Sequence, residues 1–217
     1  GNINLLILYF KFCSMRNILI VGAGKSSPYL IKYLLDKSQE QNLYLNITDV
    51  TIDHLLHHKK NNRCTVSTIN ILDDKEREGY LLKNDIIISM LPARLHMILA
   101  NSCLKLKKNL ITASYVSDEM RGINTDVKDR NLIFLNEMGL DPGIDHMSAK
   151  KVIDKLKENS CSIYSFKSYT GGLIAPESDN NSWNYKFTWN PRNVVLAGQG
   201  SPAKYIENKK YKYLPYN

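Results

Sequence analysis

Two aspartates, a histidine and a glycine turn stand close together in the stretch Asn136–Met147, which reads Asn-Glu-Met-Gly-Leu-Asp-Pro-Gly-Ile-Asp-His-Met. The apolar run before it, Leu132–Leu135, predicts a buried strand. Asp141-Pro142-Gly143 forces a turn, because Pro142 restricts the backbone of Asp141 and Gly143 tolerates positive φ. We expect Asp145 to cap the helix predicted over Ser148–Lys157. Ligands of open α/β sheets bind at the carboxyl ends of strands, so this corner is a candidate site. An ordinary strand–turn–helix corner is the alternative.

A glycine turn near the start of the chain, Gly22-Ala23-Gly24-Lys25-Ser26-Ser27-Pro28, lies between a predicted strand at Asn17–Val21 and a helical pattern at Tyr29–Leu35. Glycines let the backbone approach a pyrophosphate, and a helix N-terminus supplies N–H groups and positive potential. Gly22, Gly24, Lys25 and Ser26 are therefore candidate dinucleotide ligands. Ser27 stands where the dinucleotide fingerprint has its third glycine, so a plain strand-to-helix turn is the alternative.

An acid follows the second predicted strand, Leu43–Ile47. Asp49 at this place can accept hydrogen bonds from both hydroxyls of an adenosine ribose, which favours NAD over NADP. The alternative is that Asp49 only caps the helical pattern at Asp53–His58.

Two more predicted strands end in residues of interest. Asp85–Leu91 stops at Pro92, and its carboxyl end lies near the place where a cofactor would cross the sheet. Asn109–Ala113 is followed by the polar pair Ser114 and Tyr115. Apolar strands that alternate with helical patterns indicate an α/β fold, and the glycine turn favours a Rossmann-type, doubly wound parallel sheet.

The composition argues against several other classes of protein. The net charge is +8, but the lysines are spread over many helices. This favours a solvated surface that attracts an anionic cofactor, and not a nucleic-acid partner. No run of about 18 apolar residues is present, so we expect no membrane span. The four cysteines lack CxxC spacing, which predicts free thiols in the cytoplasm and no metal site.

The chain is expected to divide into three parts. Residues Gly1–Ser14 fit the pattern poorly and are interpreted as an extension outside the fold. Residues Met15–Met138 form the predicted dinucleotide-binding domain. Residues Gly139–Asn217 are expected to begin an α+β substrate-binding and dimerisation domain, which this chain leaves incomplete because the strands that would finish a sheet are missing.

Several motifs in one order carry a resemblance to a known family. They are Ser89-Met-Leu-Pro92, Thr112-Ala-Ser-Tyr-Val-Ser117, Asn136-Glu-Met-Gly-Leu-Asp-Pro-Gly-Ile-Asp-His146, Ser168-Tyr-Thr-Gly-Gly172 and Tyr185-Lys-Phe-Thr-Trp-Asn-Pro-Arg192. Together they resemble the glutamate-forming saccharopine dehydrogenases, also called saccharopine reductases, over Met15–Asn217.

The resemblance implies an activity. NAD(P)⁺ oxidises saccharopine to L-glutamate and 2-aminoadipate 6-semialdehyde in lysine metabolism, or the reverse reduction takes place. The resemblance also implies a homodimer and a chain longer than this one, whose missing part holds an arginine for substrate carboxylate. Catalysis would then require residues beyond Asn217.

The resemblance further implies site residues. Cofactor contacts fall on the glycine turn, on Asp49, on Leu91 and Pro92, on Leu140 and on Asn190. Substrate contacts fall on Ser114, Tyr115 and Asp141. Asp141 and Tyr115 are the candidate catalytic residues, because a carboxylate at Asp141 would stabilise the iminium that develops as hydride departs.

Two other functions remain open. Related enzymes condense a polyamine with an aldehyde and reduce the imine, as in carboxynorspermidine or homospermidine synthesis. A non-catalytic NAD(P)-binding module is the third possibility, and the early end of the chain is its only support.

Overall fold

A computed structural model describes residues 14–169, 171–187, 191–196 and 202–215. The chain divides into two compact units between Ile163 and Tyr164. The first unit contains every candidate site residue except Asn190.

The first unit is built on one parallel sheet of six strands in the order β3-β2-β1-β4-β5-β6. This is the strand order of the Rossmann fold, so the predicted fold class is confirmed. The strands are β1 (Arg16–Val21), β2 (Leu43–Asp49), β3 (Cys64–Thr68), β4 (Ile86–Ser89), β5 (Asn109–Thr112) and β6 (Phe134–Leu135).

Helices follow the strands, as parallel connections require. They are α1 (Pro28–Lys37), α2 (Asp74–Leu82), α3 (His96–Leu106), α4 (Asp118–Gly122), α5 (Asn124–Asp129) and α6 (Ile144–Glu158). Short 3-10 helices cover Asp53–Lys60 and Ala93–Leu95. Among the described helices, none combines the length and the apolar character that a membrane crossing needs.

The sheet separates two apolar cores. Successive residues of a strand point to opposite faces, so Ile18 and Ile20 of β1 pack into one core and Leu19 and Val21 into the other. Ile31 of α1 is buried in the first core and Leu99 of α3 in the second. Burial on both faces explains why β1 has no polar alternation.

The helix after β6 begins differently from the prediction. It starts at Ile144, four residues before Ser148, and its N-cap residue is Gly143, without a side-chain cap. The prediction that Asp145 caps this helix is therefore wrong. Asp145 lies in the first turn, where its carboxylate accepts a hydrogen bond from the Gly143 N–H at 2.9 Å. An acid within the first turn still matches the helix dipole.

The second unit contains little regular structure among its described residues. It has a 3-10 helix at Pro176–Ser178, α7 (Pro191–Leu196) and an antiparallel hairpin of β7 (Ala203–Glu207) and β8 (Lys210–Leu214). Asn208 and Lys209 at the hairpin turn both have positive φ, which is the geometry of the tight turns that favour hairpins.

Candidate functional site

The carboxyl ends of neighbouring strands lie side by side along one edge of the sheet, because all six strands are parallel. The glycine turn follows β1, Asp49 ends β2, and Leu91 and Pro92 follow β4. Ser114 and Tyr115 come after β5. Asp141 belongs to the corner after β6. Asn190 lies outside the described residues.

The first glycine of the turn is required by packing. Gly22 has φ of +92°, and a Cβ atom there would lie 2.9 Å from both the carbonyl carbon and the carbonyl oxygen of Met90. Its N–H donates to the Thr48 carbonyl at 2.8 Å. Gly22 therefore joins the ends of β2 and β4 to the turn. Gly24 differs, since a Cβ there would meet no atom within 4 Å.

The turn beyond Gly24 opens the N-terminus of α1 to a ligand. The backbone N–H and the hydroxyl of buried Ser27 both donate to the Gly24 carbonyl, at 3.0 and 2.8 Å. The N–H groups of Tyr29 and Leu30 have no partner inside the helix, as in any first turn. The side chains of Lys25 and Ser26 are exposed. Free N–H groups, an open glycine and a lysine fit a pyrophosphate.

Asp49 holds the glycine turn in place. One of its carboxylate oxygens accepts from the Ala23 N–H at 2.6 Å, and the other accepts from the Val50 N–H at 2.6 Å. The Ala23 carbonyl lies 2.8 Å from the His54 Nε2. Asp49 is thus a structural partner of the turn, a role that its position in the sequence does not reveal. Each carboxylate oxygen keeps a lone pair that a ribose hydroxyl can use.

A buried histidine links the end of β4 to Ser114. His96, the first residue of α3, lies 2.8 Å from the Ser89 hydroxyl through Nδ1 and 2.7 Å from the Ser114 hydroxyl through Nε2. Burial lowers the pKa of the imidazole below its ordinary value, so the ring is neutral at pH 7. His96 was absent from the predicted site. A histidine seven residues beyond a strand-ending serine is the only signal that the sequence offers.

Tyr115 and Asp141 form a direct pair. The phenol donates to the Asp141 Oδ1 at 2.5 Å, and this hydrogen bond to a carboxylate is the main reason that the pKa of Tyr115 rises to about 12. Both side chains are exposed at the sheet edge. The two candidate catalytic residues are therefore in contact, although they follow different strands.

The corner that carries Asp141 is held by backbone contacts. Gly143 has φ of +149°, and a Cβ there would lie 2.2 Å from the Gly139 carbonyl oxygen. The Gly139 N–H donates to the Pro142 carbonyl at 2.9 Å. Glu137 ties the corner to the segment after the neighbouring strand β5, because its N–H donates to the Ser114 carbonyl at 3.1 Å. Leu140 is 74% exposed, and so its side chain is accessible to a ligand.

No cluster of three or more histidine, cysteine or acidic side chains suitable for a metal ion is present in the described part of the chain. His146 lies at the corner but is exposed, and its Nδ1 lies 2.6 Å from the adjacent Asp145 carboxylate. The polar chemistry of the edge therefore rests on Asp49, the Ser89–His96–Ser114 chain and the Tyr115–Asp141 pair.

Family models match nearly the whole chain. The saccharopine dehydrogenase NADP binding domain matches residues 18–135, and the saccharopine dehydrogenase C-terminal domain matches residues 139–217. The first of these covers the sheet except the first two residues of β1, and most of the candidate site.

Individual relatives agree with the family models. The mitochondrial alpha-aminoadipic semialdehyde synthase of Rattus norvegicus is 34% identical over 207 residues, which cover 94% of this chain and 22% of that protein. Saccharopine dehydrogenase [NADP(+), L-glutamate-forming] of Saccharomyces cerevisiae is 32% identical over 195 residues, 90% of this chain and 43% of that protein.

A solved structure of the apo, L-Glu forming saccharopine dehydrogenase from Saccharomyces cerevisiae superposes with a TM-score of 0.78. It is 30% identical, over 93% of this chain and 44% of that one. The chain thus spans less than half the length of each of these relatives.

Proposed function

Since the chain belongs to the saccharopine dehydrogenase family, we propose that it forms the cofactor-binding part, with some of the substrate contacts, of an NAD(P)-dependent oxidoreductase. The proposed reaction is the oxidation of saccharopine to L-glutamate and 2-aminoadipate 6-semialdehyde, or its reverse. The observation that carries the proposal is the Tyr115–Asp141 pair at the sheet edge that also carries the glycine turn.

The glycine turn is proposed to hold the pyrophosphate of the dinucleotide. Gly24 leaves the space that a side chain would fill, and the first turn of α1 supplies N–H groups. Leu91, Pro92 and Leu140 would contact the rest of the cofactor. When bound, the nicotinamide accepts or donates the hydride, and the protein orients the two reactants.

Asp141 is proposed to face the substrate nitrogen. The nitrogen of saccharopine becomes positively charged as hydride leaves the adjacent carbon, and a nearby carboxylate stabilises that charge. Tyr115 fixes the carboxylate through its 2.5 Å hydrogen bond. Since the pKa of Tyr115 is about 12, the phenol stays protonated at neutral pH and acts as a donor, not as a base.

The choice between the two dinucleotides is still a prediction. Asp49 favours NAD from its position, whereas the family domain and the yeast relative carry NADP in their names. The comparisons therefore support a dinucleotide, but they lend no support to the preference for NAD. Titration of wild type and of Asp49→Asn with both reduced dinucleotides tests this preference.

The test of the function uses the complete natural polypeptide with saccharopine and either NAD⁺ or NADP⁺. We expect absorbance at 340 nm to grow and the reduced dinucleotide to bind with or without substrate. Asp141→Ala should abolish most of the turnover and leave dinucleotide binding intact, because the carboxylate lies apart from the pyrophosphate turn.

Turnover of carboxynorspermidine but not of saccharopine would overturn the proposal in favour of an imine reductase of polyamine metabolism. Binding without turnover of any candidate would favour a non-catalytic module.

Further expectations from the sequence join this proposal. The domain boundary between Met138 and Gly139 can be tested by limited proteolysis, and a homodimer by light scattering of the complete polypeptide. The scattered cysteines favour the cytoplasm, although the rat relative is named mitochondrial. Localisation of the tagged natural protein would decide between these compartments.

A further inference from the structure

The hydrogen-bond chain Ser89–His96–Ser114 contains one hydrogen whose position can be deduced. The Ser89 hydroxyl is completely buried, and within the described part of the chain its only hydrogen-bond partner is the His96 Nδ1. A buried hydroxyl that fails to donate is costly. Ser89 therefore donates to Nδ1, which must be the unprotonated nitrogen of the ring.

The other end of the ring then has a defined role. A neutral imidazole with Nδ1 unprotonated carries its hydrogen on Nε2. Nε2 lies 2.7 Å from the Ser114 hydroxyl oxygen, so it donates and Ser114 accepts. Because Ser114 accepts from His96, its own hydroxyl hydrogen is free to point elsewhere. Ser114 is only half-buried and follows β5 at the edge that carries Asp141.

We propose that His96 is a positioning residue that makes Ser114 a hydrogen-bond donor to a substrate carboxylate. Ser89 fixes the tautomer of the His96 ring by donating to Nδ1. The ring then donates from Nε2 to Ser114, and Ser114 keeps its own hydrogen for the site. A carboxylate is the preferred acceptor in this proposal, because a hydroxyl donor forms a stronger hydrogen bond with an anionic oxygen than with a neutral one. The inference rests on the proposed function, which supplies a substrate with several carboxylates.

The opposite tautomer of His96 would make Ser114 a hydrogen-bond acceptor in the site and not a donor. If Nδ1 carried the hydrogen, the Ser89 hydrogen would lack an acceptor, and Ser114 would donate its own hydrogen to Nε2. Ser114 would then offer only lone pairs and would repel a carboxylate. The burial of Ser89 therefore decides the polarity of a group on the other side of the imidazole. Burial also keeps the ring neutral, as this arrangement requires.

Two substitutions of His96 distinguish the hydrogen bond at Nδ1 from the hydrogen bond at Nε2. The side-chain amide of His96→Gln reaches the place of Nε2 and keeps a donor for Ser114. His96→Asn reaches only the place of Nδ1 and loses Ser114. We expect His96→Asn to raise the KM for saccharopine about tenfold with a smaller change in kcat, and His96→Gln to stay within about threefold of wild type. Equal losses in the two folded variants would overturn the proposal.

A spectroscopic measurement is independent of turnover and of variant folding. Nitrogen chemical shifts of the His96 ring in the wild-type complete polypeptide should report a neutral ring with the hydrogen on Nε2. A hydrogen on Nδ1 overturns the proposal whatever the kinetics show. If wild type binds the dinucleotide but never oxidises saccharopine, the proposed function fails, while the tautomer still tests the polarity of Ser114. In that case, if glutamate does not bind at Ser114, the proposed role of Ser114 as a donor to a carboxylate fails too.

Discussion

The Tyr115 hydroxyl donates a 2.5 Å hydrogen bond to the Asp141 carboxylate across 26 residues of sequence. The two residues follow β5 and β6, which pair in parallel, so the sheet brings them together. Neither residue is buried, and the pair is open to a substrate. The pairing sets the direction of the Asp141 carboxylate and holds the phenol in its protonated form.

Tyr115→Phe removes the hydroxyl and keeps the ring. We expect kcat/KM for saccharopine to fall about tenfold, because the Asp141 carboxylate loses the charge-assisted hydrogen bond that fixes its direction, and we propose that it faces the substrate nitrogen. The reduced dinucleotide should bind as tightly as in wild type. Steady-state kinetics and fluorescence titration measure the two quantities.

The same variant tests the pKa of the phenol. Because the Asp141 carboxylate raises the pKa of Tyr115 to about 12, wild type should contain a tyrosine that ionises above pH 11, and Tyr115→Phe should lack it. Absorbance at 295 nm against pH follows this ionisation. Tyr164→Phe is the matched control, since its exposed phenol has no such partner within the described residues. An identical titration of wild type and Tyr115→Phe would contradict the pair.

Alanine substitutions at the two glycines of the turn should have different effects on the free energy of unfolding. In Gly22→Ala the new Cβ meets the Met90 backbone at 2.9 Å and φ is +92°, so we expect the free energy of unfolding to fall by about 2 kcal/mol or more. In Gly24→Ala the new Cβ meets no protein atom, and stability should change by less than about 0.5 kcal/mol.

Dinucleotide affinity distinguishes the second variant. The Cβ of Gly24→Ala would occupy the space proposed for the pyrophosphate, so its Kd for reduced dinucleotide should rise about tenfold or more. Urea unfolding and fluorescence titration give the two measurements. An unchanged Kd in Gly24→Ala would show that the pyrophosphate does not lie at this turn.

Much of the architecture could be read from the sequence, because strand and turn signals are local. The apolar runs at Asn17–Val21 and Leu43–Ile47 lie within β1 and β2. The prediction for the β6 corner was less accurate. The type and position of Asp145 suit a cap, but α6 begins earlier, after Gly143 with its positive φ. Backbone strain of this kind depends on contacts with Gly139, which no local pattern encodes.

The features of the site that the sequence does not predict share one cause. His96 contacts hydroxyls 7 residues before it and 18 residues after it, and a sequence cannot distinguish a buried histidine from one on a helix surface. Asp49 was expected to bind a ribose, and its contact with the Ala23 N–H depends on how closely β1 and the turn approach β2. Contacts between strand ends require the strand order, which only the fold provides.

Asp49 variants separate a structural role from a role in cofactor choice. Asp49→Asn leaves one of the two backbone N–H groups without an acceptor, so we expect weaker binding of both NAD(H) and NADP(H) because the turn loosens. The loss of the negative charge should also shift the affinity ratio toward NADP(H) by about tenfold, since a carboxylate repels the 2′-phosphate. Titration with both reduced dinucleotides measures the ratio.

Wild-type behaviour decides the preference itself. Tighter binding of NADPH than of NADH in wild type, with a ratio that Asp49→Asn leaves unchanged, would refute the predicted preference for NAD. It would leave Asp49 with the turn as its only role. The exposed Asp53, which begins the 3-10 helix, provides the control Asp53→Asn, which should change neither affinity.

The stability of the fold should depend on pH through His96. Burial lowers the pKa of its imidazole below the unfolded value of 6.5, so the folded state binds fewer protons than the unfolded state at mildly acidic pH. The neutral ring contributes its full stabilisation above pH 6.5, and this contribution is lost as pH falls through the lowered pKa. His96→Gln cannot titrate, so the excess stability of wild type over the variant should shrink between pH 7 and pH 5. Thermal unfolding of both proteins across this range provides the measurement, and a constant difference in Tm would mean that His96 titrates alike in the folded and unfolded states.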